Sequence, residues 1–441
     1  MPEPLSARVL PDRVAPEALF LALEREHSDL FWLDAGADAP EGWSFIGTGT
    51  RSSFPGEVRL DVATAASEAG PPLRGGWVGW HDYESGARAA GAPVSDAADV
   101  PGGAWLRISR LAAFDHATGA VWTVAVEADL DDWEAFVSRV ATTTVPEGGP
   151  EMHEVGTRSV EARHTPTEYA ALIERSRELI RAGIAYQLCL TTRFTVPGAH
   201  DGVTVYRRLR SATPAHHGGF IRIGGRSLLS ASPEQFLHAD GGVIRTRPIK
   251  GTRPRGTGAA HDAALASELA ADAKERAENV MIVDLMRNDL SRVCEPGSIR
   301  VDALWAVETY PAVHQLVSTV SGTASPGTTA GALFDAAFPA GSMTGAPKLS
   351  AMTRLRELEG GPRGIYAGCF GYIGDEGSLD LAMVIRSIVI DGADAVVGAG
   401  GGITWRSVAA SEVAEVATKA RAPLMALGAE IPAAWASDIL N

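Results

Sequence analysis

Between residues 30 and 128 the chain alternates short apolar runs with glycine, proline and aspartate: LFWLDAG, WSFIGTG, GGWVGWHDYE, AWLRISRLAAF and AVWTVAVEA. Short apolar runs bounded by turn residues are strand signals, so residues 1–150 read as β-rich, with the clustered tryptophans packed in sheet. The stretch TTTVPEGGPEMHEVGTRS (142–159) is polar, carries Gly and Pro, and reads as a linker or a surface crossing. The period then changes. Thr165-Pro166-Thr167-Glu168 supplies a capping threonine, a proline at the first helical position and a glutamate three residues after the cap. The helix it opens runs through YAALIERSRELIRAG and stops at Gly183. Strand-like runs follow in AYQLCLTTRFTV, GGFIRIG, RSLLSASPEQFLHA and GVIRTRPI, and one long helix is predicted over AALASELAADAKERAENVMIVDLMRNDLSRV. Further strands are predicted at IYAGCFGYIG, LDLAMVIRSIVID and DAVVGAGGGITW, and a last helix at VAASEVAEVATKARAPLMALG, with Gly428 as its stop. Strands and helices are interspersed without strict alternation, and no repeat recurs. That pattern favours an α+β or layered mixed sheet over a doubly wound or barrel fold.

A chain of 441 residues, 45% apolar and 21% charged, is globular and has room for two or three average domains or one large one. Its net charge of −15 argues against broad nucleic-acid or anionic-membrane binding. No run approaches the roughly 18 apolar residues of a membrane helix. MPEPLSARVL lacks a basic region followed by an apolar core, so no signal peptide is expected. Cys189, Cys294 and Cys369 are too scattered for a disulfide framework or a zinc site and suit a reducing cytoplasm. One detail of charge is more pointed. Of 39 basic side chains only four are lysine: Lys250, Lys274, Lys348 and Lys419. Lys250 stands among four arginines in RTRPIKGTRPRG (245–256). A lysine amine can lose its proton and act as a nucleophile, which a guanidinium cannot do.

Two helices share an acidic pattern, Glu275-Arg276-Ala277-Glu278 and Glu412-Val413-Ala414-Glu415, with Lys419 one turn further on. Spacing of three puts each glutamate pair on one helix face. Such pairs serve either a solvated face or, on opposite walls of a cleft, an all-oxygen site for a hard cation such as Mg²⁺. GAGGGI (398–403) has Ile403 where a dinucleotide fingerprint needs glycine, and GSMTGAPKLS (341–350) interposes Ala346 and Pro347 before Lys348, so neither is a nucleotide loop. The exposed N–H groups of the first can still hold a carboxylate. AGCFGY lacks the glycine that a nucleophile elbow needs at Ala367, so Cys369 is read as inert. His314 in VHQLVSTVSG is either structural or functional. Glu234 follows a proline after the apolar run of SASPEQFL, where it is either a surface charge or a loop-borne acid.

Taken together, AYQLCLTTRF, SASPEQFL, RTRPIKGTRPRG, KERAENVMIVDLMRNDLSRV, VHQLVSTVSG, FPAGSMTGAPKLSAM, GIYAGCFGYIG, LDLAMVIRS, GAGGGITWRS and SEVAEVATKAR resemble, in family order, the chorismate-utilising enzymes. These include anthranilate synthase, aminodeoxychorismate synthase component I, and the isochorismate and salicylate synthases. The resemblance covers about residues 165 to 425; FWLDAGADAPEGWSFIG and GGWVGW match the family's N-terminal region more loosely. It implies an α+β fold of two stacked mixed or antiparallel sheets flanked by helices, with the active site in a deep cleft. A chorismate-binding catalytic domain is expected over 160–430, after an anthranilate synthase component I-like region over 1–150.

The resemblance also implies roles. Mg²⁺ would be held by Glu278 and Glu415, with Glu275 and Glu412 acting largely through metal-bound water. Tyr366, Arg386 and the backbone around Gly400 and Gly401 would grip the pyruvyl carboxylate, Arg386 bidentately. Lys419 would help neutralise the site. Glu234 would protonate the departing 4-hydroxyl, and His314 would support the ring end of the substrate. Anthranilate synthases usually carry alanine where this chain has Lys250 in PIKGT; aminodeoxychorismate synthases carry the lysine, whose amine attacks ring carbon 2 before ammonia enters at carbon 4. Thr252 of the same motif would contact the substrate. Isochorismate and salicylate synthases place a lysine base where this chain has Gln187, and glutamine cannot activate water. The implied activity is therefore amination of chorismate to 4-amino-4-deoxychorismate for 4-aminobenzoate and folate synthesis, with ammonia from a separate glutaminase. The alternatives are anthranilate synthase component I and a non-catalytic chorismate-binding regulator. The Leu-Leu-Glu-Ser-like element of feedback-regulated anthranilate synthases is replaced here by Trp32-Leu33-Asp34-Ala35, so tryptophan inhibition is not carried over.

Overall fold

The computed structural model describes residues 4–36, 39–62, 70–94, 102–141, 158–311 and 313–436; all but the last two residues of the expected linker at 142–159 lie outside these. The β-rich opening forms the strands Leu30–Asp34, Trp43–Ser52, Gly76–His81, Ala104–Asp115 and Val121–Val126. The helices Pro16–Glu26 and Glu127–Ala141, which the apolar pattern did not announce, lie beside them. These strands pair with later ones. Leu30–Asp34 runs antiparallel to His217–Ile223, with Phe31 opposite Ile221. Gly76–His81 runs antiparallel to Cys369–Gly374. The described strands are linked by hydrogen bonding into one continuous network.

One core cluster is built almost wholly of strand residues, including Phe31, Val78, Ile108, Ile221, Phe370 and Tyr372. It is the interior between sheet layers packed face to face. A second joins helices to sheet. Val413, Val416, Ala417, Ala420 and Leu424 form a buried stripe along the helix Ala409–Ala426, which packs on the strand Asp394–Ile403, itself paired with Gln187–Pro197, and on the helix Pro166–Arg181. That spacing is the core face of an amphipathic helix. It fixes the helix's rotation and so aims Glu412, Glu415 and Lys419.

The predicted cap at Thr165 is present. Glu168 N–H donates to the Thr165 hydroxyl at 3.2 Å, Thr165 N–H donates to the Glu168 carboxylate at 2.7 Å, and the helix Pro166–Arg181 follows. The long helix expected over 263–293 is instead two, Ala259–Ala271 and Ala273–Leu290. Asp272 divides them. Its backbone is extended (φ −64°, ψ 110°), and its side chain accepts the N–H groups of Lys274 and Glu275 at 2.9 and 3.1 Å. An aspartate that caps a new helix competes with continuation of the old one. The restart puts Lys274 and Glu275 in a first turn. The run LDLAMVIRSIVID likewise divides into Leu379–Met383 and Ser387–Asp391, with Arg386 between them at φ 52°.

Candidate active site

The helix Ala273–Leu290 carries Glu275 and Glu278, and the helix Ala409–Ala426 carries Glu412 and Glu415. The two faces meet. Lys274 Nζ lies 3.9 Å from Glu278 and 3.8 Å from Glu412, so one ammonium reaches carboxylates of both helices. Gly401 leaves the approach open: a Cβ there would stand 3.2 Å from Glu412 Oε2 and 3.5 Å from Glu415 Oε1. Crowding shows in the acidities. Burial pushes the Glu278 carboxyl up to about 6, with Lys250 and Lys274 opposing and Glu275 and Glu412 reinforcing. Burial, then a neighbouring carboxylate, also raises Glu275 and Glu412. Glu415 differs. Burial alone would raise it, but Lys419 Nζ at 2.6 Å holds it below the ordinary value. Lys419 also donates to Gly400 O at 2.8 Å.

Lys250 enters this cluster from the strand Ile249–Pro254. The ladder to the strand Val313–Thr323 pairs Ile249 with Val317 and Thr252 with Gln315, so it slips at Lys250-Gly251, where Gly251 has φ 80°. Such a bulge re-aims a side chain. Burial would lower the Lys250 pKa, but Glu278, Cys189, Glu234 and Glu415 outweigh it and hold the ammonium protonated. Asn279 secures the junction: it donates to Pro248 O at 3.3 Å and accepts from Ser318 Oγ at 2.5 Å. Glu234 is buried, and burial raises its pKa against the pull of Lys250 and a hydrogen bond from Ser342.

Arg386 holds a left-handed backbone, a conformation that costs a non-glycine residue about 1–3 kcal/mol. Among the described residues no carboxylate pairs with its half-buried guanidinium. Burial lowers its pKa, and Tyr366 and Glu415 oppose that shift. A strained, unpaired arginine of this kind suits an incoming carboxylate. The buried Tyr366 ring stands over Gly398, where a Cβ would approach within 2.1 Å. Gln187 is fully buried, and neither atom of its amide has a partner among the described residues. A buried amide left unpaired costs about 1–3 kcal/mol, which a bound ligand can recover.

The remaining residues lie differently. Thr252 is exposed. His314 is buried with both ring nitrogens engaged, Nε2 with Asp262 at 2.9 Å and Nδ1 with Thr309 Oγ1 at 2.9 Å. The next residue, Gln315, has its side-chain oxygen buried without a partner, opposite Thr252. Alternation along a strand sends neighbouring side chains to opposite faces, a signal present in VHQLVSTVSG. Ser342 was also missed; it lies in the glycine-rich stretch, which served as a family motif but supplied no expected site residue. Among the described residues no three His, Cys, Asp or Glu side chains form a ready-made cation cage. The donors are nevertheless all oxygen, and Glu278 Oε1 is buried without a hydrogen-bond partner. They fit Mg²⁺, which takes one or two carboxylates and keeps several waters.

The sequence model for chorismate binding enzymes matches residues 38–425. Over 376 residues the chain is 41% identical to an aminodeoxychorismate synthase of Streptomyces pristinaespiralis, covering 82% of this chain and 52% of that one. It spans about half the length of such relatives; for that of Streptomyces griseus the share is 50%. An anthranilate synthase component 1 of Streptomyces coelicolor is 38% identical over 81% of this chain and 73% of its own length. The crystal structure of anthranilate synthase component I from Streptococcus pneumoniae superposes with a TM-score of 0.72 at 27% identity, covering 97% of this chain and 93% of that one. A menaquinone-specific isochorismate synthase from Escherichia coli gives 0.72 at 18% identity over 96% of this chain and 95% of its own, which shows a shared fold. On the extent of these matches, this chain belongs to the chorismate binding enzymes.

Proposed function

We propose that the protein aminates chorismate with ammonia to give 4-amino-4-deoxychorismate. The observation that carries this reading is the placing of Lys250. An ammonium sits in the midst of Glu278, Glu234 and Glu415, where the anthranilate synthase pattern has a methyl group. The resting ammonium first gives up a proton to a neighbouring carboxylate. The free amine then bonds to ring carbon 2 as the carbon 4–oxygen bond breaks, and Glu234, whose raised pKa favours its acid form, delivers a proton to the leaving hydroxyl. Ammonia adds at carbon 4, and the lysine leaves from carbon 2. Arg386, Tyr366 and the backbone at Gly400 and Gly401 receive the pyruvyl carboxylate. Glu278 and Glu415, with Glu275 and Glu412 beside them, would hold Mg²⁺, which would supply positive charge to the ring carboxylate. Gln187 offers an amide but no base, which disfavours water as the nucleophile. Lys419, fixed between Glu415 and Gly400, balances charge, and His314 acts as scaffold.

The ammonia source is a glutamine amidotransferase, and the product serves 4-aminobenzoate and folate synthesis in the cytoplasm. No described helix is long and apolar enough to cross a membrane. The competing reading, anthranilate synthase, draws on the similarity to the component 1 of Streptomyces coelicolor. A product assay separates the two. Protein, chorismate, Mg²⁺ and an ammonium salt are incubated and the products resolved by mass and retention. Aminodeoxychorismate from the wild type, lost in Lys250→Ala, supports the lysine mechanism. Anthranilate from the wild type refutes it.

A further inference from the structure

Three lysines approach the acidic cluster, and they are held differently. Lys419 is fixed, with its ammonium 2.6 Å from Glu415 and 2.8 Å from Gly400 O. Lys250 rises from a bulged strand into the cluster. Lys274 is neither anchored nor enclosed. Its ammonium stands 3.9 Å from Glu278 and 3.8 Å from Glu412, too far for the short contact of a charge-assisted hydrogen bond. Its side chain is 49% exposed, against 12% for Glu278 and 5% for Glu412. The helix starts at its backbone, held by Asp272, so the side chain can swing outward without disturbing the fold.

Charge makes one of these ammoniums redundant once a divalent cation enters. Glu275, Glu278, Glu412 and Glu415 face Lys250, Lys274 and Lys419. Adding a dication overshoots that balance, and Lys274 is the ammonium with a path to water. Glu278 Oε1, buried without a hydrogen-bond partner, marks the position that Lys274 neutralises only from a distance.

We propose that Lys274 is a displaceable counter-ion. It bridges the two acidic helices in the cation-free protein and swings into solvent when Mg²⁺ takes the carboxylates. The inference rests on the reading of these glutamates as the Mg²⁺ site. It makes Lys274 a positioning residue that sets how tightly the cation binds and keeps the helices together without it.

The test exploits the chain's four lysines, each of which reports separately. The wild-type protein is treated briefly with an amine-acylating reagent, with and without Mg²⁺ alone, and each lysine is quantified by mass spectrometry. Saturating Mg²⁺ is expected to raise acylation of Lys274 severalfold and to leave Lys348, which is tied to Asp289 at 2.6 Å, unchanged. Calorimetry of Mg²⁺ binding provides a second readout. Lys274→Met should bind severalfold more tightly than wild type, whereas Arg253→Gln, which removes a positive charge 3.9 Å from Glu275, should change affinity much less. Mg²⁺ binding with unchanged or reduced Lys274 acylation overturns the counter-ion role and leaves the cation site standing. Equal tightening by Lys274→Met and Arg253→Gln also overturns it, since general charge removal then suffices. No Mg²⁺ binding by either wild type or Lys274→Met overturns both the counter-ion role and the cation site.

Discussion

Replacing Glu359 with glutamine should destabilise the protein by an amount that can be worked out from its contacts. Glu359 ends the helix Lys348–Glu359 and pairs with Arg363; their side chains are 3% and 1% exposed. The pair is bidentate, with Arg363 Nη2 2.6 Å from Oε1 and Nε 2.8 Å from Oε2. Arg363 also donates to Met343 O at 2.6 Å and Cys189 O at 2.8 Å, and its guanidinium lies 4.3 Å over the Tyr83 ring. Glu359 Oε1 accepts from both the N–H and the hydroxyl of Thr191 at 2.9 Å. One ion pair thus fastens the strand that begins at Gln187 to the turn that carries Ser342.

Glu359→Gln preserves volume and leaves the guanidinium buried without its counter-charge. Removing one partner of a buried pair costs about 3–5 kcal/mol. An unfolding entropy of about 2.1 cal/mol/K per residue gives about 0.9 kcal/mol/K for a chain of 441 residues, so the melting temperature should fall by about 3–5 °C. Differential scanning calorimetry reads this directly. Glu359→Gln/Arg363→Met removes the orphaned charge and should recover part of the loss. A fall of less than about 1 °C for the single variant, or a double variant as costly as the summed singles, would refute the argument that uncompensated charge dominates.

Two further outcomes are expected. Gly398→Ala would set a methyl group 2.1 Å from the Tyr366 ring, which must move; KM for chorismate should rise about tenfold, and an unchanged KM removes Tyr366 from the binding surface. His81 packs among Phe54, Phe334 and Phe338, and burial pushes its pKa down to about 4, from 6.5. As pH falls below 6.5 the unfolded chain takes up a proton that the folded chain refuses until about 4, so stability is lost across that window. The wild type should lose about 2 °C more than His81→Phe between pH 7 and pH 5, and equal losses would show that His81 does not control acid lability.

Local signals in the sequence survived folding where the physics is local. The Thr165–Glu168 box needs only four residues to satisfy its own N–H groups, and the structure contains it. Glutamates three apart share a helix face wherever the helix goes, so Glu275 with Glu278 and Glu412 with Glu415 were legible as pairs. That the pairs face one another was implied by the family resemblance and was not legible in their spacing. It depends on a stripe from Val413 to Leu424 packing against the helix Pro166–Arg181, more than two hundred residues earlier. The single long helix failed for a local reason. Asp272 lies in a run of good helix formers, and apolar periodicity does not register an aspartate that prefers to cap.

Position 314 shows that a residue's type and its surroundings are separate signals. A histidine in a strand invites a chemical role, but a side chain acts only if its face of the strand borders the site and its polar atoms remain unspent. His314 has spent both nitrogens, on Asp262 and Thr309. Gln315, less reactive by type, keeps a buried oxygen unpartnered opposite the lysine motif. Lys250 differs from His314 in where its signal lay, in what the chain otherwise avoids: lysine is rare here, and burying an ammonium is tolerable only among carboxylates. Those carboxylates lie on segments far apart in sequence. Composition could single out the lysine, whereas its environment depended on the chain's long-range pairing.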